Sequence, residues 1–301
     1  LKREEYYKNS DFTVLYRMNT QSRAIEDIFR REDIPYKIIG GLKFYERKEI
    51  KDIIAYLRLI HNSSDNLSLR RIINEPKRGV GNTSLDKIAL ISEQTGKSMY
   101  EIIKNAEQYD LNRVFLNTRE FVQTMEELIA KKDSMSISEL IKETLNKTGY
   151  TKALEKEETQ EAENRIENLE EFLTVAIEFE EESAENNLAE FLEGITLSSD
   201  VDSLEETEDS VTMMTLHSAK GLEEERRLCY VGITRAKEHL FLSFAKQRTM
   251  FGSTSCNNPS RFLKEIPQDL LEGYEQALGS NDRKNIFEDK NISWSYGNTK
   301  Q

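Results

Sequence analysis

Two hydrophobic periods divide this chain. Near its ends lie short runs in which strand-forming residues crowd together. They are FTVLY (Phe12 to Tyr16), YKII (Tyr36 to Ile39) before the Gly40-Gly41 pair, VTMMTL (Val211 to Leu216) and HLFLSFA (His239 to Ala245). Runs of this length, rich in β-branched and aromatic residues, predict strands. Between the first two, Ile25, Ile28 and Phe29 recur at helical spacing; Thr20 or Ser22 is placed to cap the start, and Pro35 marks the break. Strand, helix and strand in so short a span predict a βαβ unit and a parallel sheet.

From Lys43 to about Ser199 the period is helical. Ile50, Ile53, Ile54, Leu57 and Ile60 form one apolar stripe, and Leu85, Ile88 and Ile91 a second. Phe115, Phe121, Met125 and Leu128 follow, then Leu140, Ile141 and Leu145, then Ile166, Leu169, Phe172, Leu173 and Ile177. Stripes at this spacing predict helices that bury one face. After them VTMMTL and HLFLSFA flank the helix-like EEERRLCYVGITRAKE. The pattern predicts an α/β domain whose halves are separated by an inserted all-α domain. The expected boundaries are 1–41 and 208–267 for the two halves, 42–207 for the insertion, and 268–301 for a linker or tail. VDSLEETEDS reads as the acidic return linker.

Composition narrows the class. Hydrophobic residues make up 37% of the 301 and charged residues 32%, which suits a helical globular protein. Two cysteines, Cys229 and Cys256, point away from a disulfide framework and toward a reducing compartment. No signal-peptide or membrane-spanning pattern is found, so a cytoplasmic location is expected. The three histidines are scattered and no metal site is expected. The net charge of −13 hides a contrast, because Glu155 to Glu185 is dense in Glu whereas Lys37 to Lys87 carries many Lys and Arg. A basic face can therefore exist on an acidic chain.

The candidate chemistry concerns phosphates, although no G-x-x-x-x-G-K-[ST] loop occurs to cradle them. Arg235 follows Gly232-Ile233-Thr234; it either reaches a phosphate held by another domain or pairs on a helix surface with Glu238. Glu223, after Lys220-Gly221-Leu222, suits a ribose hydroxyl or simply a helix N-terminus. Phe251 in QRTMFG is a base-stacking aromatic or a core residue. KRGVGNTSLDKI (Lys77 to Ile88) reads as a glycine turn into a helix capped by Asn82, Thr83 or Ser84, where free N–H groups favour phosphate. Its plainer reading is an ordinary loop and cap.

TLHSAKGLE, EEERRLCYVGITRAKEHL, VLYRMNTQSRAIED, GGLKFYERKEIKDIIAYLRLI and RIINEPKRGVG together resemble the superfamily 1 DNA helicases of the PcrA/UvrD/Rep group, its PcrA branch most of all. The resemblance runs from about Phe12 to Ile266. It implies a motor of two RecA-like domains of the P-loop NTPase type, with ATP and Mg²⁺ between them and single-stranded DNA across their tops. This chain corresponds to most of the second motor domain with its inserted helical 2B domain, and the P-loop domain is expected upstream of Leu1. By resemblance Arg235 is the arginine finger and Glu223 the ribose contact. Arg17, Asn19, Gln21, Ser22, His217 and Phe251 meet single-stranded DNA. Lys77, Arg78, Gly79, Val80, Gly81 and Thr83 grip duplex, with Lys43 and Arg47 as a second contact.

One departure stands out. In the family KGLE leads into an apolar strand and a loop of about 30 residues, a strand that a parallel sheet buries; here Glu223 runs directly into Glu224. The expected function is the C-terminal part of an ATP-dependent 3′-to-5′ helicase acting in DNA repair or replication, in a bacterial cytoplasm. Expected partners are DNA, the N-terminal motor domain, and repair or transcription proteins. The segment alone is expected to bind no cofactor and hydrolyse no ATP. The alternative is a non-enzymatic module that binds duplex DNA or a protein.

Overall fold

The computed structural model describes residues 7–183, 187–202, 209–215, 229–245, 247–250, 253–256, 260–267 and 270–271. Its strands and helices follow from the local sequence. Strand β1 (Thr13–Tyr16) leads through a 3-10 turn into helix α1 (Ser22–Arg31), and strand β2 (Tyr36–Ile39) follows. Helix α1 stops before Asp33, which takes a left-handed φ of 51°, and Pro35 keeps the backbone extended. The residue at the N-cap of α1 is Gln21, with no side-chain cap bond, so neither Thr20 nor Ser22 plays that part.

β1 and β2 are parallel but not adjacent. Strand β3 (Val211–Thr215) lies between them, with Thr13 opposite Thr212 and Tyr36 opposite Val211. A strand flanked on both sides should bury its alternate side chains, and Val211 and Met213 are buried against Tyr16 and Tyr36. The chain leaves the sheet after Ile39 and returns at Val211. The intervening residues form α2 (Lys48–His61), α3 (Asn66–Ile72), α4 (Asn82–Thr95), α5 (Met99–Lys104), α6 (Asn112–Lys131), α7 (Ile137–Lys147), α8 (Tyr150–Glu155), α9 (Gln160–Glu182) and α10 (Leu188–Asp202).

These helices share one core. Every stripe residue predicted from spacing is either buried in it or packed against it. α2 is its axis and packs against α3, α6, α7, α9 and α10. Accordingly α2 buries more than a stripe, with Tyr56 and Leu59 as fully covered as Leu57. Caps set the helix starts: Asp65, Ser98, Ser136 and Thr159 accept from backbone N–H groups of α3, α5, α7 and α9. Glu139 completes a capping box with Ser136.

A polar seam joins the sheet unit to the helical body. Arg23 of α1 reaches Glu171 (2.5 Å) and Glu178 (3.0 Å) on α9, and Asp27 on its own helix (2.9 Å). Burial works against its charge, but the two α9 carboxylates more than offset this and hold its pKa above the ordinary arginine value. Arg47 donates to Ser22 Oγ (2.7 Å), Asn168 Oδ1 (2.8 Å) and the Asn19 carbonyl (3.0 Å). The expected role of Arg47 at duplex DNA is thereby corrected: this side chain is buried and occupied.

Two further expectations change. HLFLSFA is not a strand: residues 239–245 are irregular, with Leu240, Phe241 and Leu242 exposed. Among the described residues no strand pairs with this segment, and an isolated strand does not hold itself. Of the helix expected over EEERRLCYVGITRAKE, residues 229–238 are described; 229–233 are helical, and 234–238 are turn and bend instead of helix. Strands β4 (Gln247–Met250) and β5 (Ser253–Cys256) form a separate antiparallel pair. The expected tail, 268–301, lies outside the described residues apart from 270–271. No helix among the described residues is long and apolar enough to cross a membrane.

Candidate functional site

The C-terminal ends of the parallel strands form the first candidate surface. Tyr16 lies opposite Thr215, and Ile39 opposite Met214, so the segments leaving all three strands emerge at one end of the sheet. Open parallel sheets bind ligands at such an end. Arg17 and Asn19 are exposed there. The turn is built by its own side chains: Gln21 Oε1 accepts from the N–H of Arg17 (3.0 Å) and of Met18 (3.4 Å). Gly41 closes the surface from the β2 side, where an added Cβ would meet Ile38 at 3.3 Å and Asn19 Oδ1 at 3.8 Å.

Ser22 has a different place from the one its motif suggests. It is fully buried, with Oγ 2.6 Å from Glu26 Oε1 and 2.9 Å from the Asn19 carbonyl. Glu26 is also fully buried and accepts from the Phe44 N–H (3.1 Å) and the Tyr36 hydroxyl (3.3 Å). Burial pushes the Glu26 carboxyl above its ordinary pKa and the Arg47 guanidinium below its own. The Ser22–Glu26–Arg47 cluster therefore fixes the Asn19 turn from beneath, and the sequence motifs did not single out Glu26. Its only sequence signal is a Ser and a Glu one helical turn apart at the start of a helix.

Arg235 lies in the turn closing helix 229–233, its N–H bonded to the Gly232 carbonyl at 3.2 Å. Thr234 shapes that turn by bonding its hydroxyl to Val231 O at 3.1 Å. The Arg235 side chain is exposed and, among the described residues, makes no side-chain hydrogen bond or ion pair. Glu238, the alternative partner suggested by spacing, accepts from the Tyr7 hydroxyl at 2.8 Å. His217, Glu223 and Phe251 lie outside the described residues. No group of three His, Cys, Asp or Glu among the described residues is arranged to hold a metal ion.

The second candidate surface is the start of α4. Its N-cap is Gly81, not Asn82, Thr83 or Ser84, and no side chain caps it. Ser84 and Leu85 donate to the Gly81 carbonyl, whereas the Asn82 and Thr83 N–H groups take no partner among the described residues. Both residues are exposed, so two backbone donors and the positive helix end face outward. Gly79 adopts a φ of +73°, and a Cβ there would lie 3.2 Å from Asn117 Nδ2, which donates to the Gly79 carbonyl. Val80 is buried and pinned by Asn74.

The two basic residues of this loop point different ways. Lys77 is exposed. Arg78 turns inward, donating to the Ile72, Ile73 and Pro76 carbonyls and the Tyr56 hydroxyl, over the Phe121 ring at 4.7 Å. Lys43 lies over the Tyr36 ring at 5.2 Å, near the sheet rather than near α4.

Comparison with known proteins gives the relationship. The sequence profile of the UvrD-like helicase C-terminal domain matches residues 1–223 and, separately, 222–247. The ATP-dependent DNA helicase PcrA of Bacillus subtilis strain 168 is 44% identical over 303 positions, covering 89% of this chain and 41% of the relative. PcrA of Staphylococcus aureus strain Mu50 is 42% identical over 302 positions, covering 90% and 41%. PcrA of Staphylococcus epidermidis strain RP62A is 41% identical over 299 positions, covering 89% and 41%. The chain thus spans about two-fifths of the length of these relatives. The 303 positions take in 89% of 301 residues, about 268, so some 35 positions of the B. subtilis relative lack a counterpart here.

Proposed function

The chain belongs to the UvrD-like helicase C-terminal domain family, and from that premise we propose that it is the C-terminal part of an ATP-dependent 3′-to-5′ DNA helicase. The sheet unit is the second RecA-like motor domain, in two parts at 1–41 and 208–267. The helical body, 42–207, is its inserted domain. The observation that carries this reading is the match over 1–223 and 222–247, because it spans both sheet segments and the helices between them.

In this reading the nucleotide is shared between two halves. ATP with Mg²⁺, cradled by a P-loop half, supplies the phosphate chemistry. Arg235 fits a terminal phosphate: its guanidinium is exposed and forms no ion pair among the described residues, so it is free to neutralise charge developing on another domain's ligand. Glu223 would orient the ribose. Arg17 and Asn19 present polar groups at the sheet end where single-stranded DNA would cross, with His217 and Phe251 completing the track. Base stacking on an aromatic is worth about 1–3 kcal/mol per base without reading sequence, which suits translocation. Ser22 and Gln21 hold the Asn19 turn in shape.

The start of α4 is proposed to hold duplex ahead of the motor. Lys77, the open N–H groups of Asn82 and Thr83, and the close approach allowed at Gly79 and Gly81 suit a phosphodiester backbone independent of sequence. Arg78 and Val80 are the internal braces of that loop.

A second reading is favoured by two observations. The family match breaks at 222–223, and residues 239–243 lie exposed in a segment without a strand partner among the described residues. Both support a chain that lacks a motor strand between Glu223 and Glu224 and acts as a DNA-binding module. The test measures ATP turnover with and without oligo-dT, and fluorescence anisotropy on a 20-base-pair duplex, for the full chain. Duplex binding without turnover is expected. DNA-stimulated turnover would overturn the claim that this part alone is catalytically silent, and absence of duplex binding would remove the α4 grip.

A further inference from the structure

The helical body has a second concave surface, lined by none of the residues assigned above. Helices α2, α3 and α10 enclose a cleft of about 270 Å³. We propose that this cleft docks an acidic peptide segment of a partner protein: one apolar side chain enters over Ile54, Ala55 and Ile195, while Lys51 and Arg58 face carboxylates on either side of it.

Small-molecule and cofactor sites run from about 300 to 1,000 Å³, and this open cleft falls at the lower end of that scale. It has room for an apolar side chain of leucine or phenylalanine size. Its floor is apolar and buried, and Leu67 stands at the rim 83% exposed, an uncovered leucine continuing the apolar surface outward.

Charge selects the sequence around that side chain. Lys51 is exposed and forms no ion pair among the described residues. Arg58 donates to Thr196 Oγ1 at 3.0 Å and likewise has no carboxylate partner among them. Arg71 is held in place by Asp52 at 2.7 Å and the Lys48 carbonyl at 3.2 Å. Two cations with no carboxylate partner among the described residues, Lys51 and Arg58, therefore flank the cleft beside the Asp52-paired Arg71, in a chain whose net charge is −13. Opposite charge on the partner would steer it to this spot. Duplex DNA is the poorer complement: a sugar-phosphate backbone reads exposed cations but has nothing to fill a buried apolar floor.

The inference does not depend on the helicase reading, and one experiment separates the two. The full chain is applied to an array of ten-residue peptides rich in Asp and Glu, each with one central Leu, Phe, Trp or Met. Matched arrays replace the central residue by Ser or the acids by Lys. Binding to the acidic, apolar-centred set is expected, weaker by tenfold or more for the Ser and Lys sets. Lys51→Glu with Arg58→Glu should abolish it, and so should Leu67→Asp, an exposed position whose change leaves the fold intact. Duplex affinity should be unchanged in both variants. The proposal is overturned by absence of binding, by equal binding of the Ser set, or by binding that survives both variants. Loss of duplex affinity with retained peptide binding would assign the cations to DNA. Variant-sensitive dimerisation in sedimentation, without peptide binding, would assign the cleft to a second copy of the chain; either result overturns it as well.

Discussion

Replacing Gly81 by Asp sets helix stability against duplex binding. Gly81 is the N-cap of α4, has no side chain to cap with, and takes φ −74° and ψ 162°, which any residue adopts. An added Cβ there meets nothing within 4 Å. An aspartate carboxylate would accept from the open N–H groups of the first turn and lie at the positive helix end. Replacing Gly at an N-cap gains a few tenths of a kcal/mol, and the dipole about 0.3–1 kcal/mol more. The melting temperature should rise by about 1–4 °C for a domain of this size. At the same site, one negative charge about 6 Å from a DNA phosphate costs about 0.7 kcal/mol at a dielectric of about 80 and about 2.8 at about 20. Duplex affinity should therefore fall between about threefold and a hundredfold, with the drop largest at low salt. Thermal melts and anisotropy across a salt series measure both. A more stable variant that binds duplex as well as before would show that the start of α4 is not a phosphate site.

The other predictions concern single side chains. Lys77→Ala should leave the melting temperature unchanged and lower the log–log salt slope of duplex binding by about 1, whereas Arg78→Ala should destabilise the fold by about 2–4 kcal/mol, since it removes the guanidinium that donates to the Ile72, Ile73, Pro76 and Thr148 carbonyls and the Tyr56 hydroxyl. Chemical denaturation and salt titration tell them apart, and equal effects on binding would refute the division of labour. Arg235→Ala in an intact enzyme carrying this half should reduce ATP turnover on the order of 10³-fold, and near-normal turnover would remove its assignment. Because burial raises the Glu26 pKa in the native state, its contribution is fullest below about 4.3 and is lost as pH rises through the raised native value. The melting temperature of the native protein minus that of Glu26→Gln should then fall as pH rises from 4 to 7. A constant difference would mean that Glu26 does not titrate with folding.

Periodicity located the helical body because its stripes belong to helices long enough to show a period, and because every such stripe is covered by a neighbouring helix. It also placed β1, β2 and β3, whose crowded β-branched residues have nowhere to go but a sheet. It failed at His239–Ala245 for a physical reason: a strand is half of an interaction, and among the described residues no ladder is offered to this one. The site residues divide the same way. The glycines of KRGVG announced a turn, and the left-handed φ of Gly79 agrees. Which neighbouring cation faces outward was invisible, because Lys77 and Arg78 are adjacent and equally basic. The carbonyls at the end of α3 and the Phe121 ring decide it, and they come from distant parts of the chain.

What the sequence alone determined is the family, the first three strands and the helical block between β2 and β3, since each rests on local spacing or contiguous motifs. Only the tertiary structure decided that Ser22 and Arg47 brace a turn and that Gly81 caps α4 without a side chain. It alone showed Lys51 and Arg58 flanking an apolar cleft beside the Asp52-paired Arg71. Those outcomes depend on which groups compete for the same donors and acceptors once the chain is packed, and residues far apart in sequence settle that competition.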